Sequence, residues 1–185
     1  MKKLILLLIL APFFVFAQSK KTALIINKTI STLVWTGYGE AGSYSLTGGL
    51  KLQSGVIECD GDNIIKAKCV FDMKTITHDN KELVQHLKNK DFFDVNQFPT
   101  VAFELIKIEK GIATGFLTIK GIKKEITFPV SVIIHKNITI NGVVSVDRTA
   151  FNINYNSSSF FQNLGSYAIK NNFDIAFDLI ATQGK

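Results

Sequence analysis

Glu125-Ile-Thr-Phe-Pro-Val-Ser-Val-Ile-Ile-His135 is the stretch that decides the fold. Ile126, Phe128, Val130, Val132 and Ile134 share one parity, and Thr127, Pro129, Ser131 and Ile133 share the other. A period of two marks a strand with one buried face. Pro129 sits on the outer parity and places the strand at an edge or a bulge, because proline brings no N–H to a ladder. The pattern then repeats outward. Ile138, Ile140, Gly142, Val144 and Val146 alternate after a Lys136-Asn137 turn, and Phe173, Ile175, Phe177 and Leu179 form a last apolar row. Upstream, Ile65, Ala67, Cys69, Phe71 and Met73 make another inward row, with Lys66, Lys68 and Asp72 outward.

Residues 22–74 and 100–183 therefore read as successive strands. One helix is predicted, about Asn80–Lys88, with Asp79 capping its first turn, Glu82 three residues on, and Leu83, Val84 and Leu87 on one side. With no βαβ alternation and no repeat, the class is all-β, an antiparallel barrel or sandwich. An eight-stranded barrel is just wide enough to be packed solid or to hold one small ligand. The many Phe residues serve either outcome, so composition does not separate them.

Residues 1–17 read as an export signal: Lys2 and Lys3, an apolar run from Leu4 to Phe16, then Val15-Phe16-Ala17 before a cut. The run is too short for a membrane span. Position 18 is Gln rather than the Cys that lipid anchoring would need. The expected product is a single domain, 18–185, exported to the periplasm or the extracellular space. Without the two signal lysines the formal charge falls from +6 to +4, and Arg148 is the one arginine. Scattered lysines with a single guanidinium do not make the basic stripe of a nucleic-acid reader.

Asp60-Gly61-Asp62-Asn63 reads as a turn between strands near 55–59 and 64–73, with Cys69 opposite residue 54 or 55. An offset of four or more residues at about 3.3 Å each puts Cys59 and Cys69 roughly 13 Å apart. That is beyond disulfide reach, so two free, buried thiols are expected.

No motif announces catalysis, a cofactor or a metal. Ser157, Ser158 and Ser159 have no glycine elbow and no evident His partner. His86 lies beside the helix's apolar side as a hydrogen-bonded packing residue, and His78 and His135 share no metal-type spacing with it. Asp91 and Asp94 suit turn and strand-end capping. Arg148 either pairs with Asp147 or another carboxylate to pin the barrel, or holds a phosphate head group. Phe92 and Phe93 alternate if their segment is extended, one plugging the barrel's end or lining its mouth while the other packs beneath the helix. Phe160-Phe161, set among polar residues, either flaps over a cavity mouth or packs on the outer wall.

The segment 86–103, with Asp91-Phe-Phe-Asp94 followed by Phe98-Pro99-Thr100, resembles a signature of the YceI-like family of secreted isoprenoid-binding proteins. Three further stretches are similar in the family's order: 31–37 with Trp35, 115–124 from Gly115 to Lys124, and 147–153 with Asp147-Arg148-Thr149 and Phe151. Two positions depart from it. Tyr38-Gly39-Glu40 stands where a basic residue and a His-x-Gly are frequent, and Lys120 replaces a frequent His. The resemblance implies a lipocalin-like barrel of about eight strands, capped by the helix, with an apolar tunnel. That tunnel would take a polyprenyl or quinone-type isoprenoid, or another long-chain lipid, without catalysis. A ligand-free scaffold or interaction protein is the rival from another class, a hydrolase a more distant one. Tunnel-lining candidates are Trp35, Phe71, Phe92, Phe93, Phe103, Phe116, Phe128, Phe160, Phe161 and Phe177; His86 and Arg148 are head-group candidates. No cofactor or metal is implied, and the oligomeric state is open, a dimer included.

The leader reading is checked by intact mass. Protein recovered after export is expected to begin at Gln18; a species retaining residues 1–17 would overturn it.

Overall fold

A computed structural model describes residues 21–42 and 44–183; the expected signal segment, 1–17, lies outside the described residues. Ten strands follow in chain order: β1 (Lys21–Ile26), β2 (Thr32–Tyr38), β3 (Ser45–Gly49), β4 (Lys51–Asp60), β5 (Asn63–Asp72), β6 (Thr100–Glu109), β7 (Ile112–Ile119), β8 (Ile122–Ile134), β9 (Ile138–Asp147) and β10 (Asn172–Gln183). The helix α1 (Lys81–Lys88) joins β5 to β6. All pairings are antiparallel, and β1 meets β10 to close the sheet. β1 and β2 pair with successive stretches of β10, while β4 and β3 pair with β1 and β2 in turn. Ten strands thus form eight staves of a closed barrel, which leaves no open sheet edge along the ring.

Tight hairpins set the register. Lys110-Gly111 (φ 50° and 76°) and Lys120-Gly121 (φ 49° and 75°) are two-residue turns with both residues left-handed, matching the twist of the strands they join. The turns at 61–62, 110–111 and 135–137 close one end of the barrel. The other end carries α1, the turns at 89–99, and the 148–171 connection.

The alternation read from the sequence is present on β8, β9 and β10, where the apolar parity faces inward. Three local readings need correction. Ile65 is 40% exposed, because a bulge at this position leaves Ile64, not Ile65, opposite Cys59 and turned toward the core. β8 is no edge strand: it pairs with both β7 and β9. Pro129 instead marks the end of the β8–β9 ladder, whose last pair is Val130–Gly142. Val130 N–H donates to Gly111 O (2.8 Å), so position 129 faces the β9 side, where its missing N–H leaves no vacant ladder bond. The helix cap is Asn80 rather than Asp79; its carboxamide oxygen accepts from the N–H groups of Glu82 (2.9 Å) and Leu83 (3.1 Å).

Cys59 and Cys69 are free and buried, and Cys69 pairs with Gly55 across the hairpin as expected. Burial pushes the Cys69 thiol from its ordinary 9.0 up to about 12, and burial followed by Asp62 raises that of Cys59.

Arg148 is 3% exposed and, among the described residues, forms no ion pair with a carboxylate. Its Nη1 donates to Ile153 O (2.7 Å), Nη2 to Ile169 O (2.9 Å) and Nε to Lys170 O (3.0 Å). Asp147, the sequence-predicted partner, caps the next turn by accepting from Thr149 N–H (2.9 Å) and Oγ1 (2.6 Å). Desolvation lowers the Arg148 pKa, with Asp147, Glu40 and Tyr44 opposing it at longer range. One guanidinium thereby holds both ends of the 148–171 connection against the barrel.

Two outcomes follow from these buried groups. Arg148→Met strands three carbonyls and is expected to cost about 3 kcal/mol in a urea titration, since charged hydrogen bonds contribute roughly 1.5–3 kcal/mol each and relief of the buried charge offsets part. A loss below about 1 kcal/mol would remove the clamp's structural role. A thiol whose folded pKa is raised supports the fold below its unfolded pKa and loses that support as pH climbs. Melting temperature is therefore expected to fall between pH 9 and about 12, and less steeply in Cys69→Ala.

Candidate functional site: an apolar cavity with one polar rim

The inward faces of the eight staves enclose a cavity of about 210 Å³. One water needs only about 10–15 Å³ of such space, so the interior is far from solid. Glycines help to keep it hollow. A methyl group at Gly115 would stand 2.5 Å from the Phe103 ring, and one at Gly142 would stand 3.0 Å from Phe177. Both rings therefore lie close over glycine backbone, against the wall. Phe128 joins them edge to face, with centroids 5.4 Å from Phe103 and 5.8 Å from Phe177. Such edge-to-face pairs are favoured by the ring quadrupole and hold side chains in defined positions.

Of the tunnel-lining candidates, Trp35, Phe71, Phe92, Phe93, Phe103, Phe128 and Phe177 stand on the cavity wall. Phe116 does not. It falls on the outward parity of β7, where Lys123 Nζ sits 4.6 Å over its ring. Lys123 and Lys68 also flank Glu104 there (2.6 and 3.1 Å) and hold its carboxyl below the usual range. Phe160 and Phe161 are surface residues, 55% and 49% exposed, and do not stand in the cavity wall.

Phe92 and Phe93 lie in a turn, not an extended segment, so strand alternation does not separate them. Phe93 N–H donates to Leu87 O (3.1 Å), and Asp94, at φ 46°, reverses the chain. Both rings reach the cavity: Phe92 packs under the helix against His86 and Tyr155, and Phe93 meets Phe173 edge to face. The side-chain cap in this turn is Asn89, whose Oδ1 accepts from Asp91 N–H (3.0 Å), rather than either aspartate.

His86 is absent from the wall; its ring lies between Phe92 (5.3 Å) and Tyr155 (4.6 Å). It is a packing residue, but its buried Nε2 has no hydrogen-bond partner, and the Asp91 carboxylate stands 3.9 Å off. Arg148 does border the cavity, with its bonds directed to protein carbonyls.

Sequence reasoning missed the polar groups of the wall. Tyr38, Tyr44, Lys170 and Asn172 join Arg148 in the lining, all at the end where β2 stops and β10 starts. Tyr38 Oη donates to Asp174 Oδ2 (2.8 Å), a bond that raises the phenol's pKa, and Lys170 Nζ lies 5.6 Å over the Tyr38 ring. The segment after Tyr38 is one that departs from the family pattern, which was the available signal. Everywhere else the lining is hydrocarbon, aromatic ring, the Met73 thioether or the buried Cys69 thiol, with the unpartnered indole N–H of Trp35 on β2 the one further polar group. The site can therefore enclose an apolar chain and meet a polar group at one end only. Among the described residues no group of three or more potential ligands could hold a metal ion. No described helix is long and apolar enough to cross a membrane.

Known proteins share this architecture. BcnA of Burkholderia cenocepacia superposes with a TM-score of 0.69 at 23% identity, covering 85% of this chain and 99% of that one. A polyisoprenoid binding domain from Saccharophagus degradans, implicated in plant cell wall breakdown, superposes with a TM-score of 0.70 at 12% identity, over 87% and 98%. At such identities the likeness is one of fold. A UPF0312 protein of Staphylococcus aureus (strain N315) is 31% identical over 102 residues, 51% of this chain and 60% of that protein, so the match spans about three fifths of the relative's length. The YceI-like domain model matches residues 25–181, which is nearly the whole barrel, and the chain belongs to the YceI-like domain family.

Proposed function

We propose that this protein is exported and carries or sequesters an isoprenoid, polyprenyl or quinone-type, or another long-chain amphiphile within its barrel. The observation that carries the reading is the cavity: apolar along its length, with its polar lining gathered at one end. At about 25 cal/mol per Å², burying a few hundred Å² of hydrocarbon supplies several kcal/mol. That gain has no direction, so orientation would come from Tyr38, Tyr44, Lys170 and Asn172, which meet the ligand's polar end. The polyisoprenoid binding domain of the same fold supports the ligand class, and the apolar run at 4–16 supports export. The chemistry required is binding alone.

Mass spectrometry of a lipid extract from the purified protein, compared with Phe128→Trp, tests this. Phe128 faces free volume beside Phe103 and Phe177, so the larger indole is expected to occupy the cavity, lower retained lipid several-fold and leave the melting temperature nearly unchanged. In a solid core the same change would cost roughly 1–3 kcal/mol. Lost stability with no lipid in either protein would sink the carrier reading and favour a scaffold.

A further inference from the structure

Among the described residues, four aromatic side chains are exposed: Tyr44 (38%), Phe160 (55%), Phe161 (49%) and Tyr167 (76%). All lie on two segments at the polar end of the cavity. The other exposed large hydrophobic residues are aliphatic, and most are single outward positions on strands. Scattered aliphatics on an outer wall need no explanation, whereas a group of large rings at one rim does.

The segment bearing three of these rings is pinned to the polar end of the cavity. Arg148 holds its carbonyls at 153, 169 and 170, Lys170 N–H donates to Tyr38 O (2.9 Å), and Gly39 bridges to Ile169. Ser157, fully buried, donates to Asn171 Oδ1 (2.6 Å), and Ser158 donates to Glu40 of the neighbouring segment (3.1 Å). Ile169, Lys170 and Tyr44 belong both to these segments and to the cavity lining. The rings are thus displayed on a hydrogen-bonded support continuous with the cavity lining.

Charge selects the partner. Residues 152–171 contain no Asp or Glu, and Lys170 is their single charged side chain. Such a segment brings no carboxylate of its own to a lipid headgroup layer, and the neighbouring Glu40 carboxylate is already held by Ser158. Aromatic rings prefer that layer, and a basic protein is attracted to anionic lipid. An amphiphile that must not cross water also needs its carrier's mouth against the layer it leaves.

We propose that Phe160, Phe161 and Tyr167 form a docking surface that sets the cavity mouth on an anionic lipid bilayer for cargo transfer. The proposal rests on the carrier reading above, and its test has a separate readout. Flotation of the mature protein with vesicles of equal phosphatidylcholine and phosphatidylglycerol is compared with Phe160→Ser/Phe161→Ser/Tyr167→Ser. The variant is expected to lose vesicle affinity by roughly tenfold or more, while its lipid extract and melting temperature match the parent. Phe160→Trp/Phe161→Trp should keep binding, since indole suits the same layer. Equal flotation of parent and serine variant, or none by either, overturns the proposal. So does a parent that is dimeric in solution and becomes monomeric in the serine variant without binding vesicles, which would make the patch a self-association surface. An empty lipid extract counts against the carrier reading alone, because flotation still decides docking.

Discussion

Closure of the sheet between β1 and β10 constrains everything else in this molecule. Once eight staves form a ring, the barrel's radius follows from strand number and stagger rather than from the side chains inside. Each stave must turn one parity inward, and the apolar rows of β8, β9 and β10 do so. Whether those rows meet in the middle then depends on how far each side chain projects. Phe103 and Phe177 lie over Gly115 and Gly142 instead of reaching across, and a volume of about 210 Å³ stays unfilled. A void of hydrocarbon walls forfeits dispersion contacts that an apolar ligand would restore.

Closing the ring does not close its ends, and the two ends are handled differently. Short turns such as Lys110-Gly111 finish one. The other needs longer connections, and these must satisfy their backbone groups without a ladder. Arg148 solves this for the 148–171 connection by giving three N–H groups to three carbonyls. That use of a guanidinium lets a buried cation do without a direct carboxylate partner: its charge is spread over oriented carbonyl dipoles. It also commits three of the five N–H donors of Arg148 to protein carbonyls where the side chain borders the cavity.

Polarity is segregated along the barrel axis as a result. Hydroxyl, ammonium and carboxamide groups gather where β2 ends and β10 begins, and exposed rings stand on the connections around them. An amphiphile has the same segregation. The match between the two is what joins the cavity to the rim in one functional reading.

The sequence by itself determined the strands, the inward rows, the one helix, the unbridged cysteines and, through its resemblance at 86–103 and 115–124, the family. All but the family follow from period, turn chemistry and local spacing, which act over a few residues. Tertiary structure decided the rest. Phe128 stood on a legible apolar parity, whereas the row around Phe116 showed none, and strand register put that ring against Lys123 outside. Asn80 rather than Asp79 caps α1 because the chain's path into the helix aims that side chain at the free N–H groups. Arg148's partners are 5, 21 and 22 residues away, and carbonyl acceptors have no residue type to betray them. Hollowness was the least legible property of all, since a cavity is a difference between the volume that closure imposes and the volume that side chains fill.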